Sequence, residues 1–299
     1  MTHVTRRGLF ALAGVAALSG CSVAPLVGAA PALTPAQSPT SPLPAVPGAA
    51  ASGATPRFVE RRPTGSDAYI FRNDVPMRPE FDGRATIESA DGHPSWDRFS
   101  VGGDGPPNAD NPRERAEYAG VERLGFGSDV WVSFHVRLGD FVPTTWMLLA
   151  QFHDVPDEGE FIIPPPLAFQ LDEGSTGLTV YARSAPRRIR VSAADEQRTR
   201  VWHTPNFTRG VWHHIVLRVR FERTEEGRLD LWHNGDEVFA GDVPIGFNDE
   251  ISPYFKYGLY RGAAHGLATG DFANVEIGHR SLHSRITGPL VPPVGRAWP

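Results

Sequence analysis

The chain has 299 residues, of which 40% are hydrophobic and 21% charged, and its net charge is −5. So small an acidic excess excludes a nucleic-acid binder, yet it leaves room for a local basic groove that receives an anion. Cys21 is the one cysteine, so an internal disulfide is excluded and the fold must be stabilised by a packed core.

Taken from the amino terminus, Thr5-Arg6-Arg7-Gly8-Leu9-Phe10 gives a twin-arginine start. The apolar stretch from Leu9 to Leu18 is too short to span a bilayer as a mature helix. It runs into Leu18-Ser19-Gly20-Cys21, which resembles the lipobox of bacterial lipoproteins: small residues let a peptidase approach the backbone, and the thiol takes the lipid. Residues 1–21 are therefore expected to be an export signal. Cys21 is the expected lipidation site, and the protein is expected to be extracytoplasmic, anchored at the membrane or cell surface. Residues 22–57 are Ala, Pro, Ser and Thr with almost no charge, a composition that predicts a disordered tether. Residues 58–299 are expected to form one domain.

Within that domain apolar residues alternate at period two, and no long stretch has helical spacing. Val130 to Leu138 puts Val130, Val132, Phe134, Val136 and Leu138 on one face. His213 to Phe221 turns Ile215, Leu217, Val219 and Phe221 inward and His214, Arg218 and Arg220 outward. Further strands are predicted over Trp146–Phe152, Leu167–Leu171, Leu178–Arg183, Leu229–His233 and Phe272–Ile277, with turns at Glu226-Gly227 and Asn234-Gly235. So many strands in one domain predict an all-β sandwich of two antiparallel sheets. Gly210-Val211-Trp212-His213-His214-Ile215, followed by Leu229-Asp230-Leu231-Trp232-His233-Asn234-Gly235, resembles the hairpin of concanavalin A-like jelly rolls. The Trp is expected to cap the core. This is a signal of fold and not of chemistry.

Three strands carry polar residues at alternate positions, which share a face. Arg115 sits with Glu117, Gln151 with His153, and Tyr254 with Lys256 and Tyr260. A guanidinium, an amide, an imidazole, an ammonium and phenols suit an acidic sugar polymer and could remove a proton beside a carboxylate. In that order, Arg-x-Glu, Gln-x-His and Tyr-Phe-Lys-x-Gly-x-Tyr resemble the signature segments of jelly-roll polysaccharide lyases, over roughly residues 70 to 280. Tyr254-Phe255-Lys256-Tyr257-Gly258-Leu259-Tyr260-Arg261 is similar to the heparin lyase I-like group, and the alginate lyases share the layout. Alginate lyases carry Thr or Ser where this chain has Ala116, and Ile or Val where it has Phe152, which leaves the sugar open.

The resemblance implies β-elimination at O4 of a uronic acid. Arg115 and Gln151 would neutralise the substrate carboxylate, with His153 sharing that task or acting as base, and Tyr260 would protonate the leaving oxygen or serve as both base and acid. Lys256, Tyr254, Glu117 and Arg261 are the expected substrate contacts. No metal-ligand spacing suggests a catalytic metal. The heparin lyase I-like group can use structural Ca2+, for which the acidic loop of Asp154, Asp157, Glu158 and Glu160 is the candidate. Arg187, Arg188, Arg190, Arg218 and Arg220 would favour a polyanion if they share the face of Tyr260, and Trp202 with His203 could line its edge.

The expected partner is an anionic polysaccharide met by a monomer at the membrane, with no nucleic acid. A carbohydrate-binding module without turnover is the alternative. A jelly-roll glycoside hydrolase would need a Glu-x-Asp-x-x-Glu run, which the chain does not contain.

Overall fold

Sixteen strands form among the described residues, the central ones on alternating apolar and polar side chains. The computed structural model describes residues 58–60, 70–72, 75–90, 96–107, 110, 112–185, 187, 189–222 and 227–292. The export signal, Cys21, the tether, Glu226 and Arg188 lie outside them. In chain order the strands begin with β1 (Phe58–Glu60), β2 (Ile70–Arg72), β3 (Val75–Asp82), β4 (Ala85–Ala90), β5 (Trp96–Val101), β6 (Arg113–Gly120), β7 (Asp129–Leu138) and β8 (Met147–Val155). They continue with β9 (Leu167–Leu171), β10 (Leu178–Ser184), β11 (Gln197–Thr204), β12 (His213–Arg220), β13 (Arg228–His233), β14 (Asp236–Asp242), β15 (Ile251–Gly262) and β16 (Ala268–Gly278). A single helical turn, α1 (Ser284–Thr287), follows.

The strands form two eight-stranded antiparallel sheets, the all-β jelly-roll sandwich expected from the alternation. The first sheet runs β1-β4-β5-β16-β7-β12-β13-β14, and the second β11-β10-β9-β8-β15-β6-β3-β2. The core lies between them. Phe99 of the first sheet packs edge-on against Tyr118 and Tyr257 of the second at 5.7 and 5.6 Å. Val130, Val132, Phe134, Val136 and Leu138 are all buried in this core, as their spacing predicts. The β13–β14 hairpin closes through Asn234 and Gly235, both at positive φ (54° and 91°), the pair of left-handed residues that a tight hairpin requires. Trp212 meets Trp96 edge-on at 6.3 Å, beside the Arg137 guanidinium at 4.8 Å.

The outer face of the first sheet is closed by the chain's carboxyl-terminal part. Trp131 stacks on Trp232 with centroids 6.1 Å apart, and Leu282 and Ile286 pack against them and Val216. The second sheet turns its other face outward at the centre, where β8, β15, β6 and β3 lie side by side.

Candidate functional site

β15 organises this face. Phe255, Tyr257 and Leu259 go into the core, so Tyr254, Lys256 and Tyr260 point away from it. The register sets Tyr254 opposite His153 and Lys256 opposite Gln151 on β8, and Tyr260 opposite Arg115 on β6. Three segments far apart in sequence thus meet on adjacent strands. Gly258 sits where the register against β8 shifts, between Tyr257 and Tyr260, at φ +134°. A Cβ there would collide with the Ala116 carbonyl oxygen and the Glu117 Cα, so only glycine lets the strand pass this close to β6.

An ionic knot joins the two ends of the row. Glu80 of β3, which the sequence reading missed, accepts from Lys256 Nζ at 2.6 Å and from Arg115 Nη1 at 2.8 Å. Burial acts to raise the Glu80 pKa, but Lys256 and Arg115 outweigh it and hold the carboxyl down at about 2. Asp82, on the same face of β3, lies 3.2 Å from Arg115 Nε. Beneath them Glu117 is fully buried and accepts from Gln151 Nε2 at 2.7 Å. Burial pushes its pKa up, against the pull of Lys256 and Arg115. Gln151 donates one amide hydrogen to Glu117 and keeps a second.

His153 stands at one end. Its Nδ1 lies 2.7 Å from the Asp154 carbonyl oxygen, which can only accept. Nδ1 therefore carries the proton, and the neutral ring keeps its lone pair on Nε2. Burial, then the Lys256 charge, push the His153 pKa down to about 4, so the ring is neutral at neutral pH. Its ring lies 5.5 Å from that of Tyr254, which also has the Arg123 guanidinium at 4.1 Å.

Tyr260 stands at the other end. The Arg115 guanidinium lies 4.1 Å from its ring centre, and Arg113 Nη1 donates to its hydroxyl oxygen at 3.3 Å. With the oxygen accepting from Arg113, the hydroxyl proton stays available to a ligand. Trp146, 36% exposed, meets the ring edge-on at 4.9 Å. The face thus offers a neutral imidazole with a free lone pair, a phenol with a free proton, and two cations with an amide between them. Such a set can take a proton from carbon beside a carboxylate and return one to a departing oxygen.

Several expected contacts fall elsewhere. Arg261, adjacent to Tyr260, faces the opposite way: it is buried, donating to Glu114 Oε2 at 2.8 Å and to the Gly266 carbonyl at 2.8 Å. Glu117, a buried carboxylate, holds Gln151, so it serves the site by positioning that amide. Arg218 and Arg220 belong to β12 in the first sheet, and Arg190 is wholly buried. Arg187 is exposed and paired with Asp195 at 3.2 Å. Trp202 packs against the core, and His203 pairs with Asp172 at 3.0 Å.

The acidic loop does not fit the expected Ca2+. Arg190 Nη2 reaches Asp154 at 3.0 Å, Glu160 at 2.8 Å and Asp249 at 3.1 Å, so the loop's carboxylates already hold an internal cation. Asp157 Oδ1 accepts from the Glu250 backbone N–H. Among the described residues no group of three or more His, Cys, Asp or Glu could hold a metal ion.

Residues 77–278 match the family described as polysaccharide lyase. The chain is similar to the crystal structure of an endo-β-1,4-glucuronan lyase from the fungus Trichoderma reesei, with TM-score 0.53 and 17% identity over 68% of this chain and 90% of that one. It is also similar to an alginate lyase of polysaccharide lyase family 7, with TM-score 0.46 and 15% identity over 65% and 84% of the two chains. A search of curated proteins returned no match.

Proposed function

Because the chain belongs to the polysaccharide lyase family, we propose that it cleaves a polymer of 4-linked uronic acid by β-elimination on the outer face of the second sheet. Arg115, Lys256 and the free amide hydrogen of Gln151 bind the carboxylate of the sugar whose C5 proton is removed. Their positive charge stabilises the enolate-like anion that forms. His153 Nε2 takes the C5 proton, the C5 electrons form the C4–C5 double bond, and the bond from C4 to O4 breaks. Tyr260 gives its hydroxyl proton to the departing O4. The observation that carries this reading is the bond from His153 Nδ1 to the Asp154 carbonyl, which leaves Nε2 unprotonated on the face that holds Arg115, Gln151, Lys256 and Tyr260.

The substrate class follows from the same chemistry, since an acidic carbon beside a carboxylate is what this set is equipped to ionise. Glucuronan and alginate are the first polymers to try. The likeness to an endo-β-1,4-glucuronan lyase supports that choice. We place the enzyme outside the cytoplasm as a monomer, held at the membrane by lipid on Cys21, in keeping with the Arg6-Arg7 start and the Leu18-Ser19-Gly20-Cys21 segment.

The test is incubation with glucuronan, alginate, heparin, chondroitin and hyaluronan, with and without calcium, while following the ultraviolet absorbance of the unsaturated uronate. A rise on one polymer that is lost in His153→Ala and in Tyr260→Phe establishes the reaction and its site. A flat trace on every polymer, with binding retained, would replace this reading by a carbohydrate-binding protein without turnover.

A further inference from the structure

Beyond the central four strands, the second sheet continues through β9 to β10 and the edge strand β11. The register carries one transverse row across them: Lys256 pairs with Gln151, Gln151 with Ala168, Ala168 with Tyr181, and Tyr181 with Arg200. The neighbouring row ends in Arg183 and Arg198, which face each other. These side chains lie on the face that holds His153 and Gln151, because Leu178, Val180 and Ala182 of β10 fill the core. Ala168 is small and buried, so it adds no bulk between Gln151 and Tyr181.

The charges on this flank are unevenly matched. Arg183 is buried and paired with Glu196 at 3.1 Å. Arg198 and Arg200 are exposed, and neither has a carboxylate in ion-pair reach among the described residues. The guanidinium groups of Arg183 and Arg198 both approach the half-buried Tyr181 ring, at 5.1 and 5.0 Å. Glu196 answers the charge of Arg183, which leaves the positive charge of Arg198 and Arg200 facing solvent.

We propose that Tyr181, Arg198 and Arg200 form a second subsite, one that takes the carboxylate of a more distant sugar of the same acidic polymer. It rests on the lyase reading for the identity of the polymer. At ordinary strand spacing Tyr181 is about 10 Å and Arg200 about 14 Å from β8, so the sugar concerned is a few units from the scissile bond along a chain that crosses the strands. Tyr181 offers its ring edge to the sugar and Arg198 and Arg200 its counter-charge. The enzyme accordingly favours long chains and cuts within them.

The experiment measures binding of the full-length protein in the Tyr260→Phe background, where turnover is removed. The probes are glucuronan and alginate oligomers of graded length, titrated at several salt concentrations. Arg198→Gln with Arg200→Gln is expected to weaken binding of long oligomers about tenfold, to weaken a trisaccharide less, and to flatten the salt dependence. Arg218→Gln with Arg220→Gln removes the same charge from the other sheet and serves as the control. An equal loss in both double variants, or no loss with Arg198 and Arg200 replaced, overturns the subsite even if the wild type yields unsaturated product. If the wild type yields none, yet long acidic chains still bind through Arg198 and Arg200, the lyase reading fails and the subsite stands.

Discussion

On the first sheet, Asp271 accepts from Arg98 at 2.7 Å and from Arg137 at 2.6 Å across adjacent strands. On the second, Glu80 accepts from Arg115 and Lys256 in the same way. Each is one carboxylate bridging two cations on the outer face of a sheet. They differ in what lies above them. The Asp271 side chain is fully buried, and its neighbours His135 and His214 stack 4.3 Å apart with little access to water. Glu80 keeps 18% of its side-chain surface open, and His153 30%. An ionic knot sealed from water can only hold the fold. The cations are covered to a similar degree in both knots (Lys256 2% and Arg115 14% against Arg98 8% and Arg137 11%), so it is the open Glu80 carboxylate that lets a ligand's anion take its place.

The strongest break in the comparison comes from removing the proton-transfer groups. His153→Ala and Tyr260→Phe should each lower turnover about 10²–10⁴-fold while leaving the melting temperature nearly unchanged. In the wild type kcat/KM should fall as pH drops through about 4, where His153 takes up a proton, as initial rates across the acid range will show. On the sealed face the signs reverse. Asp271→Asn leaves two buried guanidinium groups short of a counter-charge and should cost about 3–5 kcal/mol in urea unfolding, with kcat retained at temperatures where the variant is folded.

Glu80→Gln should move binding more modestly. It removes the internal anion that competes with substrate for Lys256 and Arg115, so KM for the polymer should fall about fivefold at low salt and the gain should fade at high salt. The smallest effect lies at the end of the second sheet. Burial raises the Asp249 pKa to about 8, so the native state holds a proton that the unfolded chain releases near 3.8. Stability therefore falls as pH rises across that window. The depressed histidines act the other way, adding stability as pH rises to 6.5 from about 3 for His135 and from about 4 for His153, His214 and His233, and they contribute no slope beyond it. A decline in melting temperature between pH 6.5 and 8 should thus come from the acids that burial raises, Asp249 with the buried Glu117, and Asp249→Asn should remove Asp249's part of it.

The parts of this fold legible in the sequence were those where alternation is clean. β7 and β12 show it over nearly their whole length, and the Asn234-Gly235 turn announced its own geometry. β11 escaped notice because Gln197-Arg198-Thr199-Arg200 has no apolar face: it is an edge strand that overhangs the core, and its charge, not its packing, gives it a role. β3 was hidden by Pro76 and Pro79 and by its acidic residues, and Glu80 with it. No local pattern marks Glu80, whose partners come from β6 and β15. The inward turn of Arg261 is legible in the sequence, since adjacent residues on a strand face opposite ways and Tyr260 takes the outer face. Glu117 does share that face, but Arg115 and Gln151 cover it, and cover of that kind depends on neighbouring strands.

Arg190 connects three stretches that the chain visits separately: the end of β8 through Asp154, the loop that follows through Glu160, and the approach to β15 through Asp249. Its backbone oxygen also accepts from Phe161. His153 is the immediate neighbour of one of these anchors. For anyone recombining such enzymes, the two loops on either side of β9 and β10 are therefore not separate cassettes. Transplanting the loop bearing Glu160 without Arg190 would deliver orphaned carboxylates beside the imidazole, and transplanting Arg190 alone would deliver an orphaned cation. The two loops and Asp249 form one heritable unit, and a chimera is expected to work only when its crossovers keep all of them from the same parent.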